Sequence, residues 1–214
     1  PEPARADLPT LMLIGDSTVR NGRDDGQGLG PLGQWGWGHV LGRYIDASRC
    51  NVVNRAIGGL SSRTYRSGGH WDRTRVFIKR GDVVLIQFGH NDSGPINDTS
   101  RARGTLRGTG TETETIDNLL TGQRETVGTY GHYLRGYVDD IRALGATPVI
   151  CSPIPRKRFD AAGLTVRGRG SHAGWAEAVA RERGCAFIDL DARIADRYDA
   201  LGAAVVEQLF PRSQ

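Results

Sequence analysis

The sequence Asp-Val-Val-Leu-Ile-Gln-Phe-Gly-His-Asn-Asp at residues 82–92 decides the fold class. Its apolar run over Asp82–Phe88 is short, which is typical of a buried strand rather than of a helix. The polar residues Gly89-His90-Asn91-Asp92 end the run abruptly. We therefore predict a central strand that delivers polar side chains directly after its carboxyl end.

Four other short apolar runs alternate with helical patterns, and this predicts a parallel sheet with helices on both faces. The additional strands are predicted at Thr10–Gly15, Asn51–Asn54, Thr147–Cys151 and Cys185–Leu190. Helices are predicted at Trp37–Ile45, Thr129–Leu144, Ala173–Arg183, Ala192–Leu201 and Ala203–Phe210. We expect a single α/β domain over residues 1–214, a flavodoxin-like three-layer α/β/α sandwich with a five-stranded parallel sheet.

Two stretches lack the periodicity of helices or strands. Asn21–Gly38 is rich in glycine, and Ser93–Gly128 is rich in Gly, Thr, Arg and Asp. Irregular stretches as long as the second are uncommon in compact domains and are usually functional. Because it follows the polar residues after the central strand, we expect Ser93–Gly128 to shape a substrate cleft.

The composition excludes several classes of protein. Of the 214 residues, 38% are hydrophobic and 24% are charged, which suits a packed domain and not a disordered chain. No apolar run approaches the length of a membrane span. The three cysteines, Cys50, Cys151 and Cys185, lack C-x-x-C spacing, which argues against a zinc site, although one disulfide is left open. We expect no metal and no cofactor.

The formal charge is +4, and nearly all of the 28 basic residues are arginine. A compositional bias of the source genome explains this excess, and so does attraction to an acidic partner such as a uronic-acid polysaccharide. Neither long arginine runs nor a recognised nucleic-acid motif is present, so we expect no nucleic-acid partner. The oligomeric state is not fixed by the sequence.

Three polar motifs each follow a predicted strand, where ligands of parallel sheets bind. Ser17 lies in a strand-to-loop turn that can expose its hydroxyl as a nucleophile. Gly58 or Gly59 can offer a backbone N–H, and Asn91 can offer a side-chain amide. Together with the N–H of Ser17, these groups would form an oxyanion hole for acyl transfer. Each motif taken alone is also typical of a turn or a helix cap.

Taken in this order, the motifs resemble those of the SGNH hydrolases, and within them the rhamnogalacturonan acetylesterase branch. The similar segments are Gly15–Thr18, Asn54–Thr64, Gly89–Asp92, Thr129–Arg135 and Pro148–Pro155. The resemblance therefore extends over nearly the whole chain.

This resemblance implies that Ser17 is the nucleophile and that the Ser17 N–H, the Gly59 N–H and the Asn91 side chain are the oxyanion donors. It implies a metal-independent esterase that removes acetyl groups from pectic polysaccharide, acting outside the cell or in the periplasm. Acetylxylan or lipid esters are the alternative substrates. A non-catalytic carbohydrate-binding protein is the alternative of another class.

The general base is the point at which the sequence departs from the family. The family carries a last block in which an Asp is followed three residues later by a His, and the chain ends at Gln214 without it. We expect that a C-terminal segment is missing and that activity is impaired. A pseudoenzyme that binds carbohydrate, or a site completed by another histidine or another chain, are the alternatives. The histidines weighed for this role are His39, His70, His90, His132 and His172.

Three side chains are predicted to contact the substrate. Trp37 can stack on a sugar ring, although packing on the core explains it as well. His70, placed in a loop by its neighbouring glycines, can touch the substrate. Arg63 can pair with a uronate carboxylate through two parallel hydrogen bonds. Asp16 is expected to organise the turn at Ser17.

Overall fold

The computed structural model describes residues 1–22 and 35–210 and confirms the predicted α/β architecture. The strands of this part of the chain are β1 Thr10–Gly15, β2 Asn51–Asn54, β3 Val83–Gln87, β4 Thr113–Asp117, β5 Arg124–Gly128, β6 Thr147–Cys151 and β7 Ala186–Ile188. Its α-helices are α1 Gly38–Leu41, α2 Ser62–Ser67, α3 His70–Arg75, α4 Tyr130–Ala143, α5 His172–Arg183, α6 Leu190–Leu201 and α7 Ala203–Gln208.

The main sheet is wholly parallel, and its strands run in the order β2-β1-β3-β6-β7. β1 therefore lies between β2 and β3, the strands that precede the other two polar motifs. Since the carboxyl ends of parallel strands meet at one edge, the three loops leave the sheet as neighbours.

Alternate residues of the strands build the two faces of the core. Met12 and Ile14 of β1 pack with the cluster that includes Leu134 of α4 and Val179 of α5. Leu13, on the opposite side of the same strand, packs with a second cluster. Burial on both faces explains why these strands are continuous apolar runs, and it confirms the three-layer sandwich.

The helices α2 and α3 have no counterpart among the helices predicted from the sequence. Each spans six residues, too few turns to show an apolar stripe. α2 begins with a capping box in which Ser61 Oγ accepts from the Thr64 N–H at 3.0 Å and the Ser61 N–H donates to Thr64 Oγ1 at 2.8 Å. His70, predicted in a loop, is the first residue of α3.

The stretch Ser93–Gly128, predicted to be irregular, contains the antiparallel hairpin β4–β5. Ile116 and Val127 are its buried apolar residues. Most of its other positions are exposed Thr, Glu, Asp or Arg, so the alternation that marks a strand has little hydrophobic contrast. The prediction of a long structureless loop is therefore wrong, because a strand pair with a polar outer face gives a weak sequence signal.

Arg63 connects α2 to this hairpin. Its guanidinium donates to Glu125 through Nε at 2.8 Å and Nη2 at 2.5 Å, and its Nη1 donates to the carbonyls of Ile96 and Gly104. The side chain is only 1% exposed. The structure thus contradicts the prediction that Arg63 binds a uronate, because its donors are already occupied inside the protein.

The predicted glycine-rich loop lies mostly outside the described residues. The glycine-rich stretch Asn21–Gly38 is described only at its two ends, and the last four residues, 211–214, are also outside. Within the described ranges, the helices are too short or too polar to cross a bilayer.

The Arg63–Glu125 pair predicts a large effect of truncating the acid. Glu125→Ala leaves a buried guanidinium with carbonyl partners only, and we expect it to lower the free energy of unfolding by about 3 kcal/mol. Urea denaturation of wild type and variant measures this difference. Glu114→Ala, which removes an exposed acid from the neighbouring strand, is the matched control and should cost less than about 0.5 kcal/mol. Equal losses in the two variants would contradict the assignment.

Candidate active site

The turn after β1 presents Ser17 at the edge of the sheet. Buried Asp16 holds this turn, because its Oδ1 accepts from the Thr18 N–H at 2.8 Å and from Thr18 Oγ1 at 2.7 Å. Ser17 is half-buried and lines an open cleft of about 740 Å³. Its hydroxyl makes no hydrogen bond to another described side chain. The predicted role of Asp16 in the turn is confirmed, and Ser17 is exposed in part to the cleft.

Trp37 supports this turn and does not line the cleft. Its indole N–H donates to Gln87 Oε1 at 2.7 Å, and Gln87 Nε2 in turn donates to Thr18 Oγ1. The ring packs against the core cluster that contains Leu13. The structure therefore contradicts sugar stacking by Trp37, because the side chain is used to buttress the turn that carries Ser17.

The loop after β2 continues alongside β1 and reaches the same cleft. The Ile57 N–H donates to the carbonyl of Gly15 at 3.0 Å. Asn54 Nδ2 donates to the carbonyl of Val19 at 2.7 Å, which ties this loop to the turn after β1. Gly59 has a φ of +83°, a left-handed conformation that glycine adopts without strain. Gly59 lines the same cleft as Ser17.

The loop after β3 is fixed to the loop after β2. Asn91 Nδ2 donates to the carbonyl of Leu60 at 2.8 Å, and the side chain is 7% exposed. A side-chain amide has two N–H groups, and the carbonyl of Leu60 accepts from one of them. The second N–H of Asn91 remains available as a donor. Gly89 has a φ of +145°, and a Cβ there would lie 2.4 Å from Pro153 Cγ. The loop therefore begins at a position that only glycine can occupy, and the polar residues follow it directly.

Asp92 anchors the same loop within the protein. It accepts from the Ser62 N–H at 3.1 Å and forms a short hydrogen bond with Ser62 Oγ. Burial raises the pKa of Asp92 to about 7, although the Ser62 hydroxyl counteracts the shift. The loop that carries Asn91 is thus joined to the start of α2 through a buried carboxyl group.

Part of the cleft wall is formed by residues that lie outside the main sheet. Residues of the segments 100–103 and 118–125, which belong to or flank the hairpin β4–β5, line it together with Gly59. The expectation that Ser93–Gly128 shapes the cleft therefore agrees with the position of these residues, although the stretch is more ordered than predicted. His70 lines the same cleft from α3, and its role toward substrate stays a prediction.

The environment of His70 keeps its ring neutral at physiological pH. Burial, and then the positive charge of Arg73, lower the pKa of His70. Its Nδ1 lies 3.1 Å from Arg73 Nη2, so it is suited to accept a hydrogen bond from the guanidinium. The other ring nitrogen has no hydrogen-bond partner within the described ranges.

The other four histidines have structural surroundings. His39 Nδ1 accepts from the Gly22 N–H, and His90 Nε2 lies 2.8 Å from the carbonyl of Ile154. His132 lies against Tyr133, and His172 packs edge-on against Tyr130 and Trp175. Burial lowers the pKa of His172 to about 4. All five histidines lie in the described ranges, and none is hydrogen-bonded to Ser17.

Within residues 1–22 and 35–210, no three His, Cys, Asp or Glu side chains cluster in a way that could hold a metal ion. The three cysteines are free thiols, which resolves the question that their spacing left open.

The raised pKa of Asp92 predicts a pH dependence of stability. The unfolded chain ionises near the ordinary pKa of 3.8, whereas the folded protein retains the proton up to about 7. Relative to Asp92→Asn, wild type should therefore lose free energy of unfolding as the pH rises between these values, by up to about 1.4 kcal/mol per pH unit. Urea denaturation of both proteins across this range gives the difference. A difference that stays constant with pH would contradict the assignment.

Comparison with known families agrees with the motifs. The model of the GDSL-like lipase/acylhydrolase family matches residues 13–206, which include Ser17, Gly59 and Asn91. Rhamnogalacturonan acetylesterase of Emericella nidulans is 30% identical over 202 residues, covering 94% of this chain and 75% of the fungal protein. Rhamnogalacturonan acetylesterase RhgT of Bacillus subtilis is 30% identical over 200 residues, covering 94% of this chain and 72% of the relative.

Solved structures show the same fold. The Bacillus subtilis protein YxiM superposes with a TM-score of 0.72 at 25% identity, covering 95% of this chain and 49% of YxiM. The acetylxylan esterase Axe2 of Geobacillus stearothermophilus has a TM-score of 0.59 at 21% identity, covering 92% of this chain and 82% of Axe2. With the family match over most of its length, the chain belongs to the GDSL-like lipase/acylhydrolase family, the SGNH hydrolases.

Proposed function

We propose that the chain is a serine esterase that removes acetyl groups from an acetylated pectic polysaccharide of the rhamnogalacturonan type. The observation that carries this proposal is the position of Ser17 in a cleft that Gly59 and Leu60 also line, with Asn91 donating to the carbonyl of Leu60. The two rhamnogalacturonan acetylesterases that match nearly the whole chain support the substrate class.

The arrangement suits a two-step acyl transfer. Ser17 Oγ attacks the acetyl carbonyl carbon, the sugar hydroxyl leaves with a proton, and an acetyl-serine remains. Water then attacks this ester, which releases acetate and restores the serine. In both steps the negative charge on the carbonyl oxygen is stabilised by the Ser17 N–H, the Gly59 N–H and the remaining N–H of Asn91.

Ser17 needs a base that accepts the proton of its hydroxyl. The rate of catalysis therefore depends on whether a histidine can serve as that base. Since none of the five is hydrogen-bonded to Ser17, we propose that turnover by these 214 residues is slow and relies mainly on the oxyanion donors. His70 is the histidine that shares the cleft with Ser17. Its neutral ring and free nitrogen make it the candidate among these residues for weak base catalysis.

Two other functions were compared with this proposal. Deacetylation of xylan has the support of Axe2, but at 21% identity that likeness concerns the fold. A carbohydrate-binding protein without activity is favoured by the lack of a histidine bonded to Ser17. Because a pectic polymer does not enter cells, we propose that the protein acts outside the cytoplasm, either extracellularly or in the periplasm.

Replacing the nucleophile tests the proposal directly. Ser17→Ala should reduce release of acetate from acetylated rhamnogalacturonan to the uncatalysed background, measured by an enzymatic acetate assay. Added imidazole supplies an external base, so it should accelerate wild type beyond Ser17→Ala treated in the same way. Ser48→Ala is the control, because Ser48 lies before the amino end of β2. Its rate of acetate release should match that of wild type. If wild type and Ser17→Ala respond equally to imidazole, Ser17 is not the nucleophile and the binding function is favoured.

Replacing the side-chain oxyanion donor has a graded effect. Asn91→Ala should lower the rate of acetate release by roughly 100- to 1,000-fold with a smaller change in KM, since the donor acts on charge that develops in the transition state. Because Asn91 also holds Leu60, thermal denaturation must show that the variant is folded. Asn91→Asp, which keeps the size but removes the N–H donors, should be as slow. An active Asn91→Asp enzyme would refute the assignment.

A further inference from the structure

A strained turn presents two arginines to the cleft. Asp98 Oδ1 accepts from the N–H groups of Ser100 at 2.9 Å, Arg101 at 2.6 Å and Ala102 at 2.8 Å. Ala102 is buried and has a φ of +38°, the left-handed region that non-glycine residues rarely adopt. Such strain persists where the surroundings enforce it and is concentrated at functional sites. Here the turn places Arg101 and Arg103 on the wall of the cleft.

Arg103 reaches from this turn to the oxyanion loop. Its Nη1 donates to the carbonyl of Gly59 at 2.8 Å, so the guanidinium lies next to the backbone proposed to stabilise the reacting oxygen. A guanidinium has five N–H donors, and this contact uses one. None of its nitrogens is both buried and without a partner. Arg103 itself lines the open cleft that Ser17 also lines.

The carboxylates of Asp16 and Asp98 act on the charge of Arg103 only from beyond ion-pair distance. Among the described residues, no carboxylate forms an ion pair with Arg103 or with Arg101. Burial, and then the charge of Arg101, lower the pKa of Arg103, whereas the charges of Asp16 and Asp98 raise it. The acid on the same wall, Glu125, is already bound by Arg63 and by Asn118 Nδ2.

We propose that Arg103, assisted by Arg101, binds the carboxylate of a uronic acid residue next to the acetylated sugar and thereby selects acidic over neutral polysaccharides. This inference rests on the proposed function, since it assigns the residues that recognise that substrate. The planar guanidinium can hold a carboxylate through two parallel hydrogen bonds, which a neutral xylan chain cannot satisfy. The contact with Gly59 places the bound carboxylate near the reacting ester.

The test measures binding, so that it does not depend on turnover. Isothermal titration of the 214-residue protein with an unacetylated oligogalacturonate should show binding that weakens as salt is added, since exposed ionic contacts are screened. A xylo-oligosaccharide of equal length should bind at least tenfold more weakly. Equal affinity for the two sugars, or no binding of the oligogalacturonate, would overturn the proposal.

Variants then identify the residue that binds the carboxylate. Arg103→Gln should weaken oligogalacturonate binding at least tenfold, and Arg103→Lys, which keeps the charge but not the paired donors, should weaken it less. Arg43→Gln removes an equal charge from an exposed position outside the cleft, and should change affinity less than twofold. Equal losses of affinity in Arg103→Gln and Arg43→Gln would mean that binding depends on net charge alone, which contradicts the proposal.

Folding and function are separated by two further measurements. Arg101→Gln does not touch Gly59, so it should lose affinity without loss of thermal stability and can replace Arg103→Gln if that variant unfolds. Unchanged affinity in Arg101→Gln and Arg103→Lys would then refute the proposal. Acetate release that depends on Ser17, together with equal binding of acidic and neutral sugars, defeats this inference alone. Selective binding without Ser17-dependent release defeats the proposed function instead.

Discussion

Two asparagine side chains hold the three loops of the site in one arrangement. Asn54 donates to the carbonyl of Val19, and Asn91 donates to the carbonyl of Leu60. A parallel sheet delivers loops to a common edge, but it does not fix their backbones relative to one another. Each such bond contributes about 1 kcal/mol net, and losing one donor leaves a buried carbonyl unsatisfied at a cost of about 1–3 kcal/mol. The position of the oxyanion donors depends on these links.

The outer wall of the cleft depends on a different kind of contact. The hairpin β4–β5 lies outside the main sheet and is joined to α2 by the pair of Arg63 and Glu125. A buried ion pair contributes little to stability compared with apolar packing, but it is costly to break and fixes geometry. The fold thus supplies the chemical groups from the central sheet and the walls of the cleft from the hairpin and its flanking turn. Substrate recognition can then change with the hairpin while the chemistry is retained.

The sequence predicts the sheet well because buried strands depend on local pattern. β1 and β6 have the predicted bounds, since buried parallel strands are continuous apolar runs. Trp37 and Arg63 were misassigned because their partners, Gln87 and Glu125, are distant in sequence. A tryptophan or arginine in a loop looks the same in sequence whether it faces a ligand or a buried acceptor.

The wall of the cleft was the least predictable part of the site. Arg103 was missed because nothing in its immediate sequence marks it, although Asp98 followed by small polar residues is a signal for a turn. The site itself is tested most directly by a crystal structure of the protein with a small alkylboronic acid, which adds to a nucleophilic hydroxyl and mimics the tetrahedral intermediate. We expect boron bonded to Ser17 Oγ, with one boronate oxygen about 3 Å from both the Gly59 nitrogen and Asn91 Nδ2. A serine free of boron, or an oxygen that neither donor reaches, would contradict the account.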